Sequence, residues 1–223
     1  MGPTTPDWLA LPEDEFQKQY RPARNLTPGY LHRTLVRALG LAVATVPADE
    51  ALKQKPLVLD LAPPLPPRLR FYVYQATQHA SERQQGTYKI QLTSGVPAKT
   101  PAAHGAIPRQ GAKPVRAKSV RLYFDRAENV RPILMGYHPD WNLFILWDAD
   151  LHDLGKGFSY SKNVQAPPEI VGKALARGIA QGTRKLQTQG LMETIIAVRP
   201  RRLAEALKLR IRLSNDAMVE GLF

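Results

Sequence analysis

The spacing of apolar positions changes along the chain, and each change predicts an element. Leu31, Leu35, Leu39 and Val43 recur every four residues behind Thr27-Pro28. An N-cap followed by a first-turn proline favours a helix start, so a helix is predicted over residues 28–44. Arg33 and Arg37 fall off its apolar face, which suits a packing element rather than a reader of DNA. From residue 56 the period shortens to two. Pro56-Leu-Val-Leu-Asp-Leu61, Leu69-Arg-Phe-Tyr-Val-Tyr-Gln75 and Tyr88-Lys-Ile-Gln-Leu92 read as strands, the last two joined by a turn-rich stretch and therefore hairpin partners or neighbours. Ala-Pro-Pro-Leu-Pro-Pro67 cannot lie inside a sheet and reads as a stiff extended connector.

Three further strand patterns, at 120–124, 131–137 and 142–148, follow closely, with His138-Pro-Asp-Trp141 as the second turn. They predict a meander. Residues 167–186 return to the helical period, with Ile170, Ala174, Leu175 and Ile179 near one face and Lys173, Arg177 and Arg184 away from it. Gly190 breaks this pattern, residues 193–198 form a strand, and Pro200 opens a last helix over about 201–212. The order predicts an α+β fold. It has an N-terminal helix, a central antiparallel-rich curved sheet or half-barrel of six to eight strands, and a C-terminal helix–strand–helix. A mixed sheet is the alternative, with the 193–198 strand pairing in parallel. The natural division is an N-terminal helical segment, 1–55, and an α+β DNA-binding domain, 56–223.

Composition narrows the function classes. A chain of 223 residues is long enough to bury roughly 70% of its unfolded surface in one core. There is no cysteine, which removes disulfides, thiol catalysis and Cys-bearing zinc sites. No apolar run approaches the ~20 residues of a membrane span, and no secretory leader pattern opens the sequence, so a cytoplasmic location is expected. Lys and Arg number 31 against 19 Asp and Glu, a net charge of +12. A surplus of that size makes nucleic acid or an acidic surface the leading partner class. It is unevenly spread. The first twenty residues are net negative, and residues 95–118 hold no acid but carry Lys99, Arg109, Lys113, Arg116 and Lys118, with Arg121 just beyond. That stretch reads as a basic arm along a phosphate backbone or as a soluble insertion. Eleven basic residues face three acids between Lys162 and Arg212.

Phosphate loops, dinucleotide fingerprints and zinc-helix motifs are missing. Asp148, Asp150 and Asp153 cluster after the apolar run Leu143–Trp147. Acids at a strand end can hold Mg²⁺ for phosphodiester cleavage, with Lys89 on a neighbouring strand as the accompanying cation. The plainer reading is that Asp148 and Asp150 end a strand and cap a turn. Phe158-Ser-Tyr-Ser-Lys-Asn-Val-Gln165 reads as a loop for recognition. Ser159, Tyr160, Ser161 and Lys162 can bond phosphate, and Asn163 and Gln165 can read an adenine edge. Tyr137, Trp141 and Phe158 are candidates for stacking on a base.

Arg83 followed by Tyr88-Lys-Ile-Gln-Leu92, Gly136-Tyr137, Phe144-Ile-Leu-Trp-Asp-Ala149, Ser159-Tyr-Ser-Lys-Asn-Val-Gln165 and Glu193-Thr-Ile-Ile-Ala-Val-Arg199-Pro keep one order. Together they resemble a methylase-associated family of bacterial restriction–modification loci, over roughly residues 68–210. The resemblance implies double-stranded DNA as ligand, methylated or not, and adds Arg83 to the DNA-binding set. It does not choose between cutting and reading, and Thr87 stands where a catalytic acid would be expected. Three functions follow. The first is a restriction–modification protein that binds DNA by sequence or modification and needs no cofactor. The second is a Mg²⁺-dependent endonuclease using Asp148, Asp150 and Lys89. The third is a non-catalytic RNA-binding protein. Oligomeric state stays open, a homodimer included.

Overall fold

The computed structural model describes residues 6–78, 86–97, 121–154, 157–159, 161–186 and 190–221. Most of the 95–118 stretch therefore lies outside the described residues, together with Arg83, Lys99, Arg109, Lys113, Arg116, Lys118 and Tyr160.

The N-terminal part is helical: α1 (Asp7–Ala10), α2 (Glu13–Tyr20), α3 (Pro28–Leu39) and α4 (Asp49–Leu52). Thr27 caps α3 through its hydroxyl, which accepts from the Tyr30 N–H at 3.3 Å. The helix stops at Leu39, not at 44, because Gly40 turns to φ 51°, a conformation glycine adopts without steric cost. Arg37 fastens the preceding helices to α3, donating to the carbonyls of Trp8 (2.7 Å) and Leu11 (2.8 Å).

The strands are β1 (Leu57–Asp60), β2 (Arg68–Gln75), β3 (Thr77–Gln78), β4 (Tyr88–Leu92), β5 (Val96–Pro97), β6 (Arg121–Tyr123), β7 (Arg131–His138), β8 (Leu143–Trp147), β9 (Phe158–Ser159), β10 (Lys162–Ala166), β11 (Ile179–Lys185) and β12 (Met192–Val198). Between and after them lie α5 (Ala149–Asp153), α6 (Pro168–Arg177) and α7 (Leu203–Val219). The large sheet is open, in the order β1-β2-β7-β8-β12-β11. Every neighbouring pair is antiparallel except β2 with β7. The fold is thus α+β with an antiparallel-rich, mixed sheet, but the parallel pair is not the one expected. β12, which holds residues 193–198, runs antiparallel to both of its neighbours.

Three expectations about elements are corrected. Residues 179–185 are a strand rather than the end of a helix. Gly178, left-handed at φ 84°, terminates α6, and beyond it exposed Gln181, Thr183 and Lys185 alternate with less exposed neighbours. The strand at 121–123 leaves the meander and joins a small sheet, β5-β6-β9. β4 does not neighbour β2 in the large sheet but centres a second small sheet, β10-β4-β3.

Both faces of the large sheet are covered, which is why its central strands read as nearly continuous apolar runs. Phe71, Val73, Ile133, Met135, Tyr137, Phe144, Leu146, Ile196 and Val198 share one core with Trp8, Phe16, Tyr30 and Leu35 of the N-terminal helices and Leu203 and Leu207 of α7. The segment 1–55 and the sheet therefore pack around common apolar residues. The alternate positions, Tyr72, Leu134, Ile145, Trp147 and Ile195, pack with Ile90 and Val164 of the small sheet and Ile170 and Val171 of α6. With both faces buried, the large sheet cannot itself be the platform on which DNA lies. Gly136 sets how closely β4 approaches it: a Cβ there would stand 2.6 Å from Ile90 Cγ2 and 3.2 Å from the Trp147 ring.

Candidate nucleic-acid interface

The acids after β8 form a buried structural network. Asp148 is 2% exposed and N-caps α5: its Oδ1 accepts the Asp150 N–H at 3.0 Å. Its other oxygen accepts from Arg210 Nη2 at 2.6 Å and from the Ser214 hydroxyl at 3.0 Å, both on α7. The Asp148 N–H donates to Glu193 Oε1 (3.1 Å), which also meets His152 Nε2 at 2.9 Å. Asp150 and Asp153 are held by Arg126, at 2.5 and 2.7 Å. Lys89 is on β4, in a different sheet, where its neighbours across the strands are Gln165 and Thr77. Mg²⁺ does not fit this donor set, because the carboxylates already hold guanidinium and hydroxyl partners. Among the described residues no group of three or more His, Asp and Glu is placed to hold a metal ion.

A different polar surface is built by the small sheet. On β4, Tyr88, Ile90 and Leu92 are buried while Lys89 and Gln91 point the other way; on β10, Val164 and Ala166 are buried while Asn163 and Gln165 point the other way. Directly opposed residues of antiparallel strands share a face. The register pairs Asn163 with Gln91 and Gln165 with Lys89, and Thr77 of β3 stands across from Lys89. One row of the outer face therefore reads Gln165–Lys89–Thr77 and the next Asn163–Gln91. The motif Tyr88–Leu92 and the second half of the motif Ser159–Gln165 lie on the two adjacent strands of this face.

Side-chain donors from the large sheet hold the main chain of this face. The Gln165 carbonyl accepts from Trp147 Nε1 at 2.9 Å and from Arg184 Nη1 at 2.5 Å. Gln91 Nε2 donates to the Ser161 hydroxyl at 2.8 Å. Beside the rows lies a hollow of about 530 Å³, lined by Asn25, Gln75, Lys89, Gln91 and Asn163 among others, with no carboxylate in its wall among the described residues. Such a volume falls within the ~300–1,000 Å³ of ligand-sized pockets. Tyr74, also in the wall, has Lys55 Nζ 3.2 Å from its ring centroid. Burial lowers the Lys55 ammonium to about 7 and pushes the Tyr74 phenol up to about 12.

The remaining candidates divide. Arg121 is exposed and pairs across β6–β9 with Ser159, so two expected phosphate contacts are neighbours. Lys162 is turned inward, donating to the His152 carbonyl at 3.0 Å, and burial lowers its pKa. Residues 158–165, expected as a loop, are mostly strand, since β9 and β10 occupy most of them. Tyr137 and Phe158, expected to stack on a base, are core residues at 0% and 1% exposure; Tyr137 donates to Asn142 Oδ1 at 3.0 Å and Phe158 packs on Phe124. Trp141 is 45% exposed and keeps an open ring. Gln91, Thr77 and Gln75 were not anticipated. Applying the period-two rule to polar as well as apolar positions of 88–92 would have found Gln91 beside Lys89.

The family model for methylase-associated X1 matches residues 67–207, from the start of β2 into α7. The chain belongs to this family. The matched span contains β2 through β12 and therefore the whole amide face and the acids after β8, but not their partners Arg210 and Ser214. Comparison with curated proteins and with solved structures finds no significant match. Among the described residues no helix is long and apolar enough to cross a membrane.

Proposed function

We propose that the chain is a restriction–modification-associated protein that binds double-stranded DNA, by sequence or by modification, through the outer face of the β3–β4–β10 sheet. The observation that carries this reading is the register that sets Asn163 opposite Gln91 and Gln165 opposite Lys89 on the outer face of one sheet, beside a hollow of ligand size. Side-chain amides can bond the N6 and N7 edge of adenine in two places at once, and a lysine can meet guanine acceptors or phosphate. Arg121 and Ser159 supply contacts to the DNA backbone, which position the protein without reading sequence. Membership of a methylase-associated family supports a DNA ligand, and a net charge of +12 supports the attraction.

Selection from a randomised duplex pool, methylated and unmethylated, followed by affinity measurements over about 50–200 mM salt, tests the reading. Enrichment of one sequence or modification class, with a steep salt slope, is the expected result. Equal recovery of all duplexes, or preference for single-stranded RNA, would sink it. A nuclease built on Asp148 and Asp150 would first have to break their bonds to Arg210, Ser214 and Arg126. Adding Mg²⁺ to the selected duplex and looking for cut products tests that alternative in the same series.

A further inference from the structure

A second electropositive surface lies where α6 ends and the chain passes from β12 into α7. A cleft of about 640 Å³ there is lined by Arg177, Arg199, Arg201 and Arg202, with Asn142 and Gly178. Four arginines line one hollow. Arg202 is held by Glu205, at 2.7 and 2.6 Å, and also donates to the Arg177 carbonyl at 3.2 Å. Arg199 donates to the Trp141 carbonyl. Arg177 and Arg201 are exposed and have no carboxylate partner among the described residues.

Basic residues at a helix C-terminus complement its dipole, and this accounts for Arg177 and Arg202. It does not account for Arg199 and Arg201, which come from the strand end and the following turn. Gly178 permits the convergence. Its φ is 84°, and a Cβ there would stand 3.2 Å from Arg202 Cδ, so the glycine gives room for that side chain against the helix end. Like charges around one cleft repel one another, and a bound anion offsets that repulsion. Guanidiniums match phosphate oxygens with two parallel N–H donors.

We propose that this cleft is a phosphate-binding site, distinct from the amide face, that takes a DNA phosphodiester or the phosphates of a free nucleotide. It does not depend on the amide face reading DNA.

The test is calorimetric titration of the whole chain with inorganic pyrophosphate, with ADP and with a short duplex. Saturable pyrophosphate binding is expected, weakened about tenfold or more in Arg177→Gln/Arg201→Gln at an unchanged melting temperature. The Asn163→Ala/Gln91→Ala variant keeps this binding, so failure of the amide face and failure of the cleft are told apart. Duplex that displaces pyrophosphate assigns the site to the DNA backbone. ADP binding about tenfold tighter than pyrophosphate, without displacement by duplex, assigns it to a free nucleotide. Arg177→Lys/Arg201→Lys should restore part of the affinity, as charge returns without the two-pronged geometry. No saturable binding of any probe, or equal affinity in the glutamine variant, would overturn the proposal.

Discussion

Asp148 and Lys89 look alike in sequence, each a charged residue set against an apolar alternation, but their surroundings differ in kind. Asp148 is enclosed by Arg210, Ser214 and the start of α5, and both of its oxygens accept hydrogen bonds within the protein. Lys89 lies on the outward face of a small sheet, in a row of amides and a hydroxyl. A polar group whose bonds are completed internally holds a fold together. Lys89 instead borders a hollow from an outward strand position, among amide side chains. The contrast separates a structural centre from the proposed recognition surface, only a few strands apart.

The largest expected effect comes from breaking the first region. Asp148→Ala leaves Arg210 buried without its counter-charge and removes the α5 cap. It should cost about 3–5 kcal/mol in urea unfolding, whereas Lys89→Ala should cost about 1 kcal/mol or less. Similar losses in the two variants would erase the distinction between the regions.

Acid should act on the interior before it acts on the amide face, whose side-chain amides carry no titrating proton. His32 is fully buried, with Nδ1 2.7 Å from the Leu52 carbonyl; burial lowers its pKa from 6.5 to about 4, and the nearby Lys55 charge also lowers it. Below 6.5 the unfolded chain takes up the proton first, so this contribution to stability is complete above 6.5. It is lost as the pH falls towards 4, by up to about 3 kcal/mol. His32→Gln should flatten the slope of stability between those two pH values. An unchanged slope would show that another group drives the acid loss.

Gly136→Ala sharpens the comparison by coupling its two sides. The added Cβ would meet Ile90 Cγ2 at 2.6 Å and the Ala76 Cβ at 3.1 Å, so β4 must shift off β7. Overpacking of this kind costs about 1–3 kcal/mol. Because Lys89 and Gln91 move with β4, DNA preference should change as well. Lost stability with intact preference would mean that this contact does not position the amide face.

The α+β class, the apolar strands and the α3 cap were legible because each rests on local spacing. What was not legible rests on pairing. Tyr88–Leu92 looks like a partner of Leu69–Gln75, yet apart from two residues of β3 it pairs with Lys162–Ala166, seventy residues or more on, and nothing local in either segment encodes that choice. The end of α6 was misread because Ile179 continues the helical spacing, while the glycine before it ends the helix by its backbone angle. Tyr137 and Phe158 were misplaced for a related reason. Composition marks an aromatic as able to stack, but only the covering of both sheet faces shows that these two are already enclosed. The acids after β8 were the opposite case: the turn-capping role was readable at Asp148, and the Arg210 partner came from α7, over sixty residues away.

The smallest effects on stability, and the most telling on recognition, belong to the amide face itself. Lys89→Ala removes one cation. If that cation meets phosphate, affinity should fall by a similar factor for every duplex, and the salt slope should flatten by about one unit. Asn163→Ala removes no charge and should leave the slope alone, while relaxing preference at one base pair by about 1–3 kcal/mol. The two substitutions lie in adjacent rows of the same sheet, so general damage to the surface would alter both readouts together. Separate responses, charge from Lys89 and preference from Asn163, would assign each side chain its own task. A uniform loss from Asn163→Ala with no change in preference would make it a backbone contact, and the reading of bases would then have to come from elsewhere on the protein.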